Sequence, residues 1–84
     1  MYWDVVEIKI ESYLVLFVRF SDGTCGKLRF LPTHLTGVFL PLKEPAFFEK
    51  VFIDEGVVSW PGEIDLAPDA MYHEIKKHSE WILS

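Results

Sequence analysis

The chain has 84 residues, half of them hydrophobic and thirteen aromatic, and carries a net charge of −5 at neutral pH. That length accommodates one domain around one core, and so many large apolar side chains argue against disorder. The acidic balance argues against sequence-independent nucleic-acid binding, because phosphates repel it at long range.

Residues 2–10 are predicted to form a strand, since Val6, Ile8 and Ile10 alternate with Glu7, Lys9 and Glu11. Glu11-Ser12 is a turn signal. Residues 13–20 are almost wholly apolar or aromatic and give the strongest strand. Ser21-Asp22-Gly23 turns the chain, and residues 24–30 return as a third strand. A two-residue Asp22-Gly23 loop would set Leu14, Leu16 and Val18 beside Lys27 and Arg29. A three-residue loop with Gly23 in the left-handed conformation instead gathers Leu14, Leu16, Val18 and Phe20 with Leu28 and Phe30, and is the predicted register. The other face then carries Tyr13, Val15, Phe17 and Arg19 beside Cys25, Lys27 and Arg29. A face this apolar calls for cover, and cover from within the same chain is expected ahead of an interface.

Residues 31–37 read as a loop or a single helical turn, and Val38-Phe39-Leu40-Pro41-Leu42 as an extended stretch marked by proline. Pro45 suits the first position of one helical turn over residues 44–49. Val51-Phe52-Ile53 and Val57-Val58-Ser59-Trp60 read as a second hairpin turned at Asp54-Glu55-Gly56. A helix from about Pro68 closes the chain, with Asp69 in its first turn and Lys76-Lys77 toward its end, as the macrodipole prefers. Its apolar face is predicted to be Met71, Ile75, His78 and Ile82. The expected fold class is α+β: an antiparallel meander of about five strands, a short helical turn in the middle and a C-terminal helix.

Few residues offer chemistry. Asp65, Asp69 and His73 are spaced by four, and on a continuous helix two carboxylates and an imidazole would share a face fit for a divalent metal or a small metal-dependent enzyme. Pro68, however, places Asp65 ahead of the helix, and each residue has a structural role open to it. Asp65 can cap the turn, Asp69 complements the dipole, and His73 follows one turn later. Glu63 reads as a solvated turn residue. Cys25 and His34 form the one thiol–imidazole pair, without an orienting group or oxyanion loop. No catalytic set, metal or cofactor is therefore expected. The single cysteine excludes an internal disulfide and suits a reducing cytosol. No leader pattern or membrane-length apolar run is present, so a soluble cytoplasmic protein is expected. Tyr13, Phe17, Arg19, Lys27 and Arg29 resemble in type a stacking platform for single-stranded nucleic acid. The glycine-flanked RNA-recognition pattern is absent and the net charge opposes that use.

The stretch Trp60-Pro61-Gly62, Asp65-Leu66, Pro68-Asp69 and Tyr72 resembles the closing motif of the bacterial domain-of-unknown-function family twenty-four forty-two. The resemblance runs back through Leu16-Phe17-Val18-Arg19-Phe20-Ser21-Asp22-Gly23, Gly26, Gly37-Val38-Phe39, Pro41-Leu42, Phe47-Phe48, Val51 and Asp54. Three departures stand out. An asparagine usual between Pro61 and Gly62 is missing, Ala67 replaces a commonly acidic residue, and Lys27-Leu28-Arg29 is basic where an aspartate is frequent. The resemblance implies an α+β domain. It further implies relatives fused to helix-turn-helix domains, or encoded beside another small protein in toxin–antitoxin-like pairs. No helix-turn-helix pattern is read in these 84 residues, so DNA binding is not expected to carry over. The expectation is a non-enzymatic module that binds another small protein or itself, without membrane or direct nucleic-acid contact. Its working surface is expected to include Tyr13, Val15, Phe17, Arg19, Lys27 and Arg29. The Trp60–Tyr72 motif is expected to be mainly structural.

Overall fold

The structure is a computed structural model that describes residues 2–83, apart from the side chain of His34. Strands β1 (Val5–Ser12), β2 (Val15–Phe20) and β3 (Cys25–Phe30) run antiparallel. The β2–β3 register is the one that buries apolar residues: Leu16 lies opposite Leu28 and Val18 opposite Gly26. Phe20 donates its amide to the Thr24 carbonyl at 2.8 Å across a three-residue loop, with Gly23 at φ +91°. Only glycine adopts that conformation without a Cβ penalty. The β1–β2 turn falls at Tyr13-Leu14 rather than at Glu11-Ser12. Leu14 holds φ +61° there, an uncommon conformation for a branched side chain, and its side chain is buried in the core.

After β3 the chain makes two 3-10 segments, Pro32–His34 and Gly37–Lys43. The second corrects the extended stretch expected around Pro41. Proline's fixed φ fits a tight helix as well as a strand, and Leu42 is drawn into the core. Helix α1 (Pro45–Phe48) is a single turn with proline at its start. Strands β4 (Phe52–Asp54) and β5 (Val57–Trp60) form a hairpin whose turn residues Glu55 and Gly56 both have positive φ, as a type I′ turn requires. A short strand β6 (Ile64–Asp65) pairs with β5 after the Pro61-Gly62-Glu63 turn. Helix α2 (Pro68–His78) ends on Ser79 in the left-handed conformation at φ +64°. Strand β7 (Glu80–Leu83) then pairs parallel to β3.

The α+β class holds, but not the five-stranded meander. There are two sheets, a mixed one in the order β1-β2-β3-β7 and an antiparallel one in the order β4-β5-β6. The 3-10 segments and α1 separate β3 from β4, and the second hairpin forms a sheet of its own that meets the first at β1, where the Val5 amide donates to the Gly56 carbonyl. The helix is not the last element either. Met71 and Ile75 are buried, whereas His78 is exposed and Ile82 belongs to β7. Among the described residues, no helix is long and apolar enough to cross a membrane.

One hydrophobic core lies between these layers. The inner face of the four-stranded sheet supplies Leu16, Val18, Phe20, Leu28 and Phe30, met by Met71 and Ile75 of α2 and by Val58 and Trp60 of β5. Each such side chain contributes roughly 1.5–3 kcal/mol by leaving water.

Candidate functional site

The outward face of the four-stranded sheet is built by alternation. Since Leu16, Val18, Leu28 and Phe30 point inward, Val15, Phe17, Arg19, Cys25, Lys27 and Arg29 point outward. Cross-strand pairing arranges them in rows: Lys9, Phe17, Lys27 and Glu80 in one, and Val15, Arg29 and Ile82 in the next. Helix α2, α1 and the second sheet all join the core on the inner side. The expected cover from within the chain is therefore absent among the described residues, and the face is open.

Long charged side chains frame it instead. Glu7 pairs with Arg19 at 2.5 Å and Lys9 at 3.4 Å, Glu11 with Lys27 at 3.1 Å, and Glu80 with Arg29 at 2.8 Å. The Lys9 ammonium lies 5.8 Å from the Phe17 ring centre. Such exposed pairs contribute at most about 1 kcal/mol each, but their aliphatic stems shield Val15 and Phe17, which are half-buried. Each cation of this face has a glutamate partner, so the platform is not the free basic surface that nucleic-acid backbones need. Tyr13 stands apart, in the β1–β2 turn, with its hydroxyl donating to the Lys43 carbonyl at 2.5 Å. Sequence alone missed Glu80 and Ile82, both assigned to the helix. The run Trp81-Ile82-Leu83, apolar on consecutive positions, is the signal that breaks helical periodicity.

The closing motif is distributed through the scaffold. Trp60 is 1% exposed, donates its indole N–H to the Phe48 carbonyl at 3.0 Å, and packs against Phe30 and Phe48. Leu66 is buried, and its amide donates to the Val58 carbonyl. Pro68 occupies the first turn of α2, whose N-cap is Ala67, without a side-chain cap bond. The capping role open to Asp65 is thus not taken up. Asp65 sits in β6 opposite Ser59, while Asp69 and His73 lie exposed along α2. The three do not share a face, and among the described residues no three His, Cys, Asp or Glu side chains are placed to hold a metal ion. Cys25 is exposed at the start of β3, and the His34 side chain lies outside the described residues.

Tyr72 joins the two ends of the motif set. Its hydroxyl donates to Asp22 at 2.6 Å, and its ring meets Phe20 edge-on. This ties α2 to the β2–β3 turn, where Asp22 also accepts the Thr24 amide at 2.9 Å.

The family model described as a protein of unknown function (DUF2442) matches residues 5–77. The chain belongs to that family. No curated protein and no solved structure gives a significant match. The DUF2442 match spans β1 through nearly all of α2 and stops before β7. The Tyr72–Asp22 bond thus joins two distant parts of the matched region.

The Tyr72 hydroxyl, followed by the Thr24 amide, holds the Asp22 carboxyl below its ordinary value. A carboxylate with a lowered folded-state pKa adds stability above its unfolded pKa, and that stability is lost as pH falls through the lowered value. Tyr72→Phe is expected to raise the Asp22 titration midpoint toward the ordinary aspartate value, read by NMR. An unchanged midpoint contradicts the bond.

Proposed function

We propose that this chain is a non-enzymatic cytoplasmic interaction module, the regulatory half of a pair with another small protein, and that the partner docks on the outward face of the four-stranded sheet. The observation that carries this reading is the open face itself. Val15 and Phe17 form an apolar centre, and Arg19, Lys27 and Arg29 with their glutamates form a charged rim, an arrangement typical of protein interfaces. Ile82 extends the apolar centre and is 47% exposed. The partner's chemistry follows: an apolar contact for Phe17, surrounded by side chains of both signs that exchange with the rim pairs.

The test is affinity capture with the wild-type protein and with Phe17→Asp, which changes an outward-facing side chain and leaves the core untouched. The expected result is one small protein retained by the wild type and reduced at least tenfold with Phe17→Asp. Equal retention by both, or retention of the wild type on single-stranded DNA with a steep salt dependence, contradicts the proposal.

A further inference from the structure

The sheet order β1-β2-β3-β7 leaves one side of β1 without a sheet neighbour. Hydrogen-bond alternation decides which of its backbone groups face that side. Phe20 bonds with Thr24 toward β3, so Phe17 and Arg19 bond the other way, toward β1. Their partners Lys9 and Glu7 use their amides and carbonyls within the sheet. Ile8 and Ile10 turn theirs to the open edge.

The open stretch is bounded at both ends. The Val5 amide already donates to the Gly56 carbonyl at 2.9 Å. At Glu11 a register shift and the ion pair with Lys27 end the regular strand. Residues 6–10 remain, centred on Ile8, and on them Val6 is 54% and Ile10 41% exposed.

We propose that a second copy of this chain adds at this edge, antiparallel, about a two-fold axis at Ile8. Two equivalent edges can bond only when residues of like parity stand opposite each other, which leaves few registers. An axis at Lys9 sets Lys9 against Lys9 and Glu7 against Glu11. An axis at Glu7 sets Glu7 against itself. The axis at Ile8 sets Glu7 against Lys9 at two symmetric positions and Ile8 against Ile8. It also brings Val6 against Ile10 at each end, where the register shift after Val5 closes the ladder. Charge and apolar complementarity select the same register. Lys9 pairs with Glu7 of its own chain at 3.4 Å, and its side chain, 67% exposed, can exchange that partner for the equivalent Glu7 across the axis. The edge shares Glu7 and Lys9 with the frame of the outward face, but its ladder is made by the backbone of Ile8 and Ile10, so this inference does not rest on the partner proposed above.

Sedimentation equilibrium from micromolar to millimolar concentration tests it. The expected mass rises from 9.8 kDa toward twice that value, and amide exchange at Ile8 and Ile10 slows as the mass rises. Lys9→Glu sets glutamate against glutamate twice and is expected to weaken association about tenfold. The charge swap Glu7→Lys with Lys9→Glu restores it. A mass of 9.8 kDa at every concentration overturns the proposal. So does a dimer that Lys9→Glu leaves intact or that the charge swap fails to restore.

Discussion

Trp60→Ala is expected to destabilise the protein by about 3–5 kcal/mol, the range for emptying a buried aromatic site. A domain of this size has a total stability on the order of 5–15 kcal/mol, so a large share would be lost. The ring is enclosed by Phe30 and Phe48, and these come from β3 and α1, so the cavity would open where three elements meet. Trp60→Phe separates packing from hydrogen bonding. It keeps a ring in place and removes the donor to the Phe48 carbonyl, which also accepts the Val51 amide at 3.3 Å. The cost of the lost bond should therefore sit near 1 kcal/mol, at the low end for a buried group. Urea denaturation of the three proteins checks the order: wild type, then Trp60→Phe, then Trp60→Ala. Equal midpoints for wild type and Trp60→Ala contradict the anchoring role.

Gly26→Ala is the second large effect. A Cβ at this position would lie 2.5 Å from the Ser79 carbonyl oxygen and 2.6 Å from a methyl carbon of Ile75. The carbonyl belongs to the backbone that ends α2, so no side-chain rotation relieves the clash. Either β3 or the end of α2 must move, which stretches the Lys27 amide bond to the Ser79 carbonyl, 3.2 Å in the native fold. Overpacking of this kind costs about 1–3 kcal/mol. At roughly 4–8 °C per kcal/mol for a small domain, a thermal melt resolves it readily. The same close approach explains the glycine among the motif residues: α2 and β7 reach β3 only where no side chain intervenes. An unshifted melting temperature contradicts that account.

Much of the first hairpin was legible because burial decides register. A slip of one residue would have turned Leu14, Leu16 and Val18 outward, and the three-residue loop with Gly23 is the solution that avoids it. The start of α2 was legible from Pro68, whose ring suits a helix's first turn. Its end was not. Ser79 takes the left-handed conformation that glycine or asparagine usually marks, so nothing local announces the stop, and His78 and Ile82 continue an apparent helical stripe. The pairing of β7 with β3 spans about fifty residues and leaves no local trace. The split into two sheets was hidden for a similar reason. Residues 37–43 hold apolar side chains and a proline that fit either a strand or a 3-10 helix, and tertiary burial of Leu42 decides between them.

The candidate site was legible in part. Strand alternation placed Val15, Phe17, Arg19, Lys27 and Arg29 on one face, but not Tyr13, which the turn directs to Lys43. Nor could alternation supply the neutralising glutamates, because Glu7, Glu11 and Glu80 arrive from neighbouring strands. Their presence alters the chemistry of the face from a basic platform to a charge-balanced rim. The Trp60–Tyr72 motif shows the reverse case. Its carboxylates and imidazole looked capable of chemistry on spacing alone, yet the strand at Asp65 separates them.

The open sheet face is proposed as the working surface, with the family motif as scaffold. Binding isotherms for the captured partner test this most directly, measured with Phe17→Asp and with the double variant Asp65→Asn, His73→Ala. Phe17→Asp is expected to weaken binding at least tenfold without shifting the thermal melt, while the double variant binds as the wild type does. Loss of binding in the double variant, with Phe17→Asp unaffected, would contradict it.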